Sequence, residues 1–196
     1  AGACGLVHVV GHCDFFHPGN YDSHSRLGSA AGMDLALVSG RGEPLLTEWP
    51  VVGTPLVRDD EIIQVGERNI GAPGSGPPYE DILRTKITLL TVRRVLADGI
   101  EITARRIIAG LTERGLDKVW LHVDFDVLDE AVMPAVDAPG SPGLSYAQLT
   151  TLVSTLCASG RIIGATFTIY DPDRDRDERY ARPLVKCIAE GLRART

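Results

Sequence analysis

The sequence predicts an α/β fold built on a mostly parallel sheet. Short apolar runs alternate along the chain with longer stretches whose apolar residues recur at helical spacing, a pattern typical of alternating strands and helices. The first run, residues 5–10, is too apolar for a strand with one face in water, which favours a fully buried strand. A chain of 196 residues can bury one good core, so we expect a single domain spanning residues 1–196.

The individual strands and helices follow from local signals. Gly40 and Gly42 are placed to end the first predicted helix. The pair at 98–99, Asp-Gly, interrupts the helical pattern, and Ser145 is suited to cap a later helix. A glycine and proline cluster at residues 71–78 predicts a surface loop. The predicted strands are residues 5–10, 61–66, 118–123 and 161–170, and the predicted helices are residues 29–38, 79–96, 101–114, 145–158 and 177–193.

Composition and charge restrict the class of protein. Hydrophobic residues make up 44% and charged residues 23% of the chain, as in ordinary globular proteins. The formal net charge of −6 argues against nucleic acid or an anionic membrane as a partner, and it suits a small cationic substrate. No apolar stretch approaches the length of a membrane span, and no signal segment opens the chain. The cysteines show no paired spacing, which predicts reduced thiols and a cytoplasmic location; they are Cys4, Cys13, Cys157 and Cys187.

Two short polar clusters follow apolar runs and are the strongest functional signal. His12 and Asp14 follow the first predicted strand, and Asp124 and Asp126 follow the third. A spacing of two residues at the end of a strand points both side chains to one face. Carboxylates that converge on one point repel each other unless a cation lies between them. The two clusters therefore predict a divalent-metal site and, with it, a hydrolase.

Longer motifs surround both clusters. The segment from Gly5 to Phe15 resembles a strand motif of one enzyme family, and that motif ends in Asp-Ala/Gly-His-x-Asp. The residues Thr-Ile-Tyr-Asp-Pro at 168–172 occupy the place of that family's last active-site strand. A second family signature is matched by Asp124-x-Asp126-x-x-Asp129, followed by Met133-Pro134, Ala138-Pro139 and Gly143-Leu144-Ser145-Tyr146. The chain thus resembles the arginase and agmatinase (ureohydrolase) superfamily, whose three-layer α/β/α fold is shared with histone deacetylases.

This resemblance implies a reaction and a set of metal ligands. Enzymes of this superfamily use two manganese ions to activate water for attack on a guanidinium or amidinium carbon, which implies a small guanidine or amidine substrate. Carboxylate oxygens with imidazole suit manganese. The matching positions, each implied to be a metal ligand, are His12, Asp14, Asp124 and Asp126. Asp124 is implied to bridge the two ions, and Asp124 and Asp126 are the implied catalytic residues.

The chain departs from the family pattern at several positions. Val10 stands where the first motif has a bridging aspartate, and no Gly-Gly-Asp-His segment precedes the first cluster. Ala31 aligns with a family residue, often histidine, that shuttles protons. Ile169 aligns with an acidic residue that many members use to hold the guanidinium. One metal position keeps three ligands, so we expect one manganese ion, or zinc, rather than two.

The resemblance covers the later part of a ureohydrolase. We therefore expect a three-layer sheet that is incomplete at its N-terminal side. A strand edge left open in this way favours pairing with another chain. We expect a homo-oligomer.

Three functions stay open from the sequence. The first is a metal-dependent hydrolase of linear C–N bonds whose activity is reduced by the lost ligands. The second is a degenerate family member that acts as a binding or structural subunit without turnover. The third is a phosphatase of the haloacid dehalogenase kind, because Asp124-Phe125-Asp126 after an apolar strand also resembles the nucleophile motif of that class.

Other polar residues near the clusters have structural as well as functional interpretations. His8 and His122 share strand parity with the clusters and are either core histidines or partners that hold a carboxylate. His17 and His24 are loop residues or substitute ligands. Cys13 alternates away from the candidate site, which indicates an inert buried thiol.

Overall fold

A five-stranded parallel sheet forms the centre of the fold. The structure is a computed structural model that describes residues 4–21, 30–72 and 76–193. The strand order is β3-β2-β1-β4-β5, and every neighbouring pair is parallel. The predicted α/β fold with a parallel sheet is therefore confirmed. The strands are β1 Gly5–Val9, β2 Ile62–Val65, β3 Thr88–Leu90, β4 Val119–Asp124 and β5 Ile162–Thr168.

Helices connect these strands. The predicted helix at 145–158 is confirmed as α6, and it begins at a capping box in which Ser145 and Gln148 satisfy each other's backbone N–H groups. Within the described ranges, the α-helices are α1 Asp34–Val38, α2 Pro44–Thr47, α3 Pro77–Ile82, α4 Val92–Asp98, α5 Ile100–Glu113, α6 Tyr146–Ala158 and α7 Ala181–Leu192. Short 3-10 helices cover Ala30–Met33, Asp59–Glu61, Phe125–Val127 and Pro172–Arg174. No helix in the described part of the chain is both long and apolar enough to cross a membrane.

Each face of the sheet has its own hydrophobic cluster. Val7 and Val9 of β1 point to the face covered by α4, α5, α6 and α7. Leu6 points to the opposite face, where it packs with Leu35 of α1 and Ile82 of α3. The helices therefore form one layer on each side of the sheet. The second face is less covered over β4 and β5, where the side chain of Trp120 is 40% exposed.

The single helix predicted at 79–96 is wrong. This region contains the end of α3, the strand β3 and most of α4. Its apolar residues also fit helical spacing, but Thr88–Leu90 pairs in parallel with β2, and this pairing outweighs the local pattern. Pro77 and Pro78 were predicted in a loop and instead begin α3, because the first helical turn needs no N–H from those residues.

Two predicted helix boundaries also differ. Of the predicted helix at 29–38, residue 29 lies outside the described residues, and Ala30–Met33 is a 3-10 turn that leads into α1. The last helix begins at Ala181 rather than at 177. The reason is the buried Asp175, whose carboxylate accepts hydrogen bonds from the backbone N–H groups of Tyr180 at 3.1 Å and Ala181 at 2.7 Å. Asp175 thus satisfies donors that the first helical turn leaves free.

Candidate functional site

The two predicted ligand clusters follow neighbouring strands. β1 and β4 pair in parallel, with Val9 opposite Val123. β1 ends at Val9 and β4 ends at Asp124, both at the carboxyl edge of the sheet, where α/β proteins commonly bind ligands. This topology brings the predicted metal ligands to one cavity; they are His12, Asp14, Asp124 and Asp126.

The cavity has a volume of about 300 Å³. The cavity is also lined by Ala31 and Ile169. Ala31 aligns with the proton-shuttling residue of the family, and Ile169 aligns with the acid that holds the guanidinium. Two of the departures from the family pattern therefore lie on the cavity wall itself. The remaining lining residues are Cys13, Phe16, Gly32, Tyr79, Asp137 and Ala138.

Asp126 is the most firmly held of the four candidate ligands. Its Oδ2 lies 2.6 Å from Nδ1 of His12, and its Oδ1 accepts a hydrogen bond of 2.8 Å from the backbone N–H of Gly11. The buried Arg68 donates to the backbone carbonyl of Asp126. Burial would raise the pKa of Asp126, but the hydrogen bond and charge of His12, the hydrogen bond from Gly11 and the charge of Arg68 together outweigh it and lower the pKa. Asp126 is therefore fixed as a carboxylate next to the imidazole.

Asp124 and Asp14 lie in a more repulsive environment. The Oδ1 atom of Asp124 accepts a hydrogen bond of 2.8 Å from the backbone N–H of Asp126. Burial, followed by the charge of Asp126, raises the pKa of Asp124 to about 9. Burial also raises the pKa of Asp14 well above its usual range, and the charges of Asp34 and Asp126 add to this effect. Asp14 has a backbone φ of 45°, which side-chain-bearing residues rarely adopt. The cavity thus concentrates carboxyl groups that disfavour one another's charge.

A second polar cluster lies on the same face of the sheet and contains a residue that the sequence did not indicate. His8 and His122 both approach Oδ2 of Asp34, with Nε2–Oδ2 distances of 3.3 Å and 3.5 Å. Burial lowers the pKa of His122 to about 4, and the charge of His8 contributes. Burial alone would raise the pKa of Asp34, but the charge and hydrogen bond of His8, the charge of His122 and the hydrogen bond from Leu35 together outweigh it and lower the pKa. Asp34 begins a short helix far from both motifs in sequence, and no local signal connects it to them.

The two groups differ in how tightly their donor atoms are gathered. In the described part of the chain, one trio of His, Cys, Asp or Glu places a donor atom from each member within 4.8 Å of the others, namely His8, Asp34 and His122. The four predicted ligands in the larger cavity form no such trio, although His12 and Asp126 are in direct contact. The four predicted ligands therefore share a cavity, and His8, Asp34 and His122 form the tighter group.

Three further residues were singled out from the sequence, namely His17, His24 and Cys13. Nε2 of His17 faces Oδ2 of Asp81 at 3.6 Å, so its carboxylate partner does not belong to either cluster. His24 lies outside the described residues. Cys13 lines the larger cavity, so the prediction that it alternates away from the candidate site is wrong. It is nevertheless fully buried, and burial raises the pKa of its thiol to about 12, which agrees with an inert thiol.

The comparison with known proteins decides the family. A family model described as the arginase family matches residues 1–192. The chain belongs to the arginase family. The superfamily resemblance in the motifs and the expected three-layer fold are both confirmed.

Similar proteins include formimidoylglutamases and arginases. The formimidoylglutamase of Aeromonas salmonicida is 38% identical over 72 residues, which are 37% of this chain and 23% of that protein. The arginase structure from Bacillus cereus has a TM-score of 0.84 at 24% identity, covering 99% of this chain and 64% of that chain. The arginase structure from Bacillus caldovelox has a TM-score of 0.83 at 26% identity, covering 98% of this chain and 61% of that chain. This chain spans less than two thirds of each of these proteins.

The substitution Asp14→Asn should stabilise the chain in the presence of EDTA. It removes a buried carboxyl group from the field of Asp34, Asp124 and Asp126. We expect the free energy of unfolding at pH 8, measured by urea denaturation, to rise by about 1 kcal/mol. Asp60→Asn is the matched control, because Asp60 is exposed, and it should leave the unfolding midpoint unchanged. A lower midpoint for Asp14→Asn would contradict the repulsive environment described for Asp14.

Proposed function

We propose that this arginase-family chain carries the metal-dependent centre of a hydrolase that cleaves a linear C–N bond in a small amidine or guanidine compound. The observation that supports this proposal is that one imidazole and three carboxyl groups, from the ends of two neighbouring strands, line one cavity. Burial and mutual repulsion raise the pKa of Asp14 and Asp124. A divalent cation relieves such a conflict, because it favours the charged form of each carboxyl group.

The residues present suit one divalent cation. We propose that His12, Asp124 and Asp126 hold it, and that Asp14 is a further candidate ligand. Carboxylates with one imidazole suit manganese, with zinc as the other candidate. The buried Val10 offers no donor where the family motif has a bridging aspartate, which is why we propose one ion rather than two. When bound, such an ion lowers the pKa of water and polarises the substrate.

The reaction proposed for the chain is the hydrolysis of an amidine. Water adds its oxygen to the amidine carbon, the bond from that carbon to the substituted nitrogen breaks, and a proton from water goes to the leaving nitrogen. The products are an amine and an amide. The acidic cavity wall, which includes Asp137, attracts a cationic amidinium group and orients it towards His12 and Asp126.

An amidine is favoured over a guanidine as the substrate. The relative from Aeromonas salmonicida is named for a formimidoyl compound, and a formimidoyl group is a small amidine. In this chain the apolar Ile169 lines the cavity at the position aligned with the acid that holds a guanidinium. Without that acid the cavity has fewer acceptors for the extra N–H groups of a guanidinium. We therefore propose a formimidoyl-type amidine, with guanidines as weaker substrates.

The alternatives are affected unequally. The match of the arginase family model over residues 1–192 leaves the phosphatase hypothesis without support. The non-catalytic subunit remains the alternative that experiment must separate from the proposed hydrolase.

The four cysteines are unpaired, and we propose a reducing, cytoplasmic location on that basis.

The double substitution Asp124→Ala/Asp126→Ala should abolish turnover and the binding of Mn²⁺ in the larger cavity. We expect the unsubstituted chain to bind close to one equivalent of Mn²⁺ by elemental analysis and to hydrolyse formimidoylglutamate. In the double variant the bound Mn²⁺ should be lost, and the rate should fall at least about 100-fold, because both carboxylates are proposed ligands.

The control for this experiment is Asp173→Ala/Asp177→Ala, which removes two exposed aspartates outside the cavity. It should leave both metal content and rate unchanged. Equal metal content in the two double variants would refute the proposed site. Metal binding without hydrolysis of amidines, arginine, agmatine or guanidinobutyrate would support the non-catalytic subunit instead.

The substitution Val10→Asp should create affinity for a second metal ion. It restores a carboxylate where the family motif has its bridging aspartate, beside a position that now has too few donors. We expect calorimetric titration with Mn²⁺ to show a higher stoichiometry than for the unsubstituted chain. Val10→Asn is the control, because asparagine has the shape of aspartate but lacks its charge. If both variants bind as much Mn²⁺ as the unsubstituted chain, the alignment of Val10 is wrong.

We also propose that the chain self-associates through β5, which lies at one edge of the sheet. Ile163 on this strand is 56% exposed, and an open apolar edge favours pairing with another chain. Light scattering should give at least twice the chain mass of 21.1 kDa. Ile163→Lys should reduce this mass, whereas Val185→Lys, at an exposed position on α7, should not. A monodisperse monomer would contradict the proposal.

A further inference from the structure

His8 and His122 form a stacked pair of imidazoles on the face of the sheet opposite α4, α5, α6 and α7. They lie opposite each other on β1 and β4, with ring centroids 4.8 Å apart and an interplanar angle of 11°. Asp34, the first residue of α1, places Oδ2 within 3.3 Å of His8 and 3.5 Å of His122. One donor atom from each of the three residues thus lies within 4.8 Å of the others.

This cluster contains buried polar atoms that lack partners. The side chain of His8 is only 2% exposed, and its Nδ1 has no hydrogen-bond partner among the described residues. The same holds for the buried Oδ1 of Asp34. Buried polar atoms without partners are uncommon because each loses its hydration, and a bound cation can offset this loss for the carboxylate of Asp34.

The cluster has its own cavity. The space next to it has a volume of about 210 Å³ and shares no lining residue with the larger cavity around His12 and Asp126. Besides the three polar residues it is lined by Leu6, Val38, Trp120 and Thr166. A ligand bound there therefore contacts none of the four residues proposed as the hydrolytic centre.

We propose that His8, Asp34 and His122 bind a divalent transition-metal ion of the zinc type, at a site separate from the hydrolytic centre. Two imidazole nitrogens and one carboxylate oxygen are a common donor set for zinc and its neighbours, and three protein ligands leave positions open for water or substrate. This assignment uses no residue of the proposed hydrolytic centre and does not depend on it.

Thr166 supports this assignment from outside the cluster. Its hydroxyl lies 2.9 Å from Nδ1 of His122, which leaves Nε2 of the same ring directed to Asp34. A metal-binding histidine commonly uses its other ring nitrogen for a hydrogen bond that fixes the ring orientation. Thr166 is thus a positioning residue for His122.

Titration of the EDTA-treated full chain with Co²⁺ and with Zn²⁺ tests the proposal. We expect visible Co²⁺ absorption bands that disappear when Zn²⁺ displaces Co²⁺. His122→Gln and Asp34→Asn should each lower the Zn²⁺ stoichiometry by one equivalent and remove the corresponding bands. Thr166→Val, at an exposed position, should keep the stoichiometry and weaken Zn²⁺ binding about 10- to 100-fold.

Two controls separate this site from other groups. His17→Gln removes a histidine that faces a different aspartate and should leave Zn²⁺ binding unchanged. Asp124→Ala/Asp126→Ala removes the proposed hydrolytic ligands and should retain the equivalent that His122→Gln loses. If the stoichiometry is the same in His122→Gln, Asp34→Asn and the unsubstituted chain, the proposal is overturned.

A measurement on the unsubstituted chain covers the case in which a variant fails to fold. Histidine ring nitrogens can be followed by ¹⁵N nuclear magnetic resonance during addition of Zn²⁺. The ring signals of His8 and His122 should shift together at one equivalent, whereas those of His17 should not. Unchanged signals for His8 and His122 would overturn the proposal regardless of what the hydrolytic centre binds.

Discussion

The parallel register between β1 and β4 is the constraint on which both candidate sites depend. It places His8 opposite His122, and the segments that follow β1 and β4 then bring His12, Asp14 and Asp126 to one cavity. The imidazole pair lies within the sheet, and the carboxylates of Asp124 and Asp126 follow where β4 ends. A shift of this register by one residue would turn the side chains of one strand into the hydrophobic layer under α5 and α6, and it would separate the members of each group. One strand pairing therefore positions two chemically different groups.

The larger cavity shows how the fold accommodates several carboxyl groups. Asp126 is held by the imidazole of His12 and by the backbone of Gly11, which spread its negative charge over donors. Asp14 has no comparable stabilisation of its charge, because its surroundings are dominated by burial and by other aspartates. Such an arrangement reduces stability and is typical of a site shaped for ligand binding rather than for packing. This arrangement supports the proposed binding of a cation in the cavity.

The sequence predicted the central strands better than the edge strand β3 and the contacts between distant residues. β1 and β4 are nearly continuous apolar runs, so their burial and the polar residues at their ends can be recognised from local sequence. β3 is only three residues long and exists because it pairs with β2, which no local pattern reveals. Asp34 was missed for the same reason, since its contact with His122 joins residues that are far apart in the chain. Local periodicity specifies elements, whereas contacts between elements arise from topology.

The two candidate sites are coupled through Asp34 and Asp14. Asp34 is the first of the charged neighbours that oppose ionisation of Asp14, and it is also the carboxylate shared by His8 and His122. A cation held by the histidine cluster would offset the charge of Asp34 and so weaken its repulsion of Asp14. Asp14 would then be a better donor to an ion in the larger cavity. In the proposed arrangement, a cation at the histidine cluster would therefore compensate for part of the donor set that Val10 does not supply.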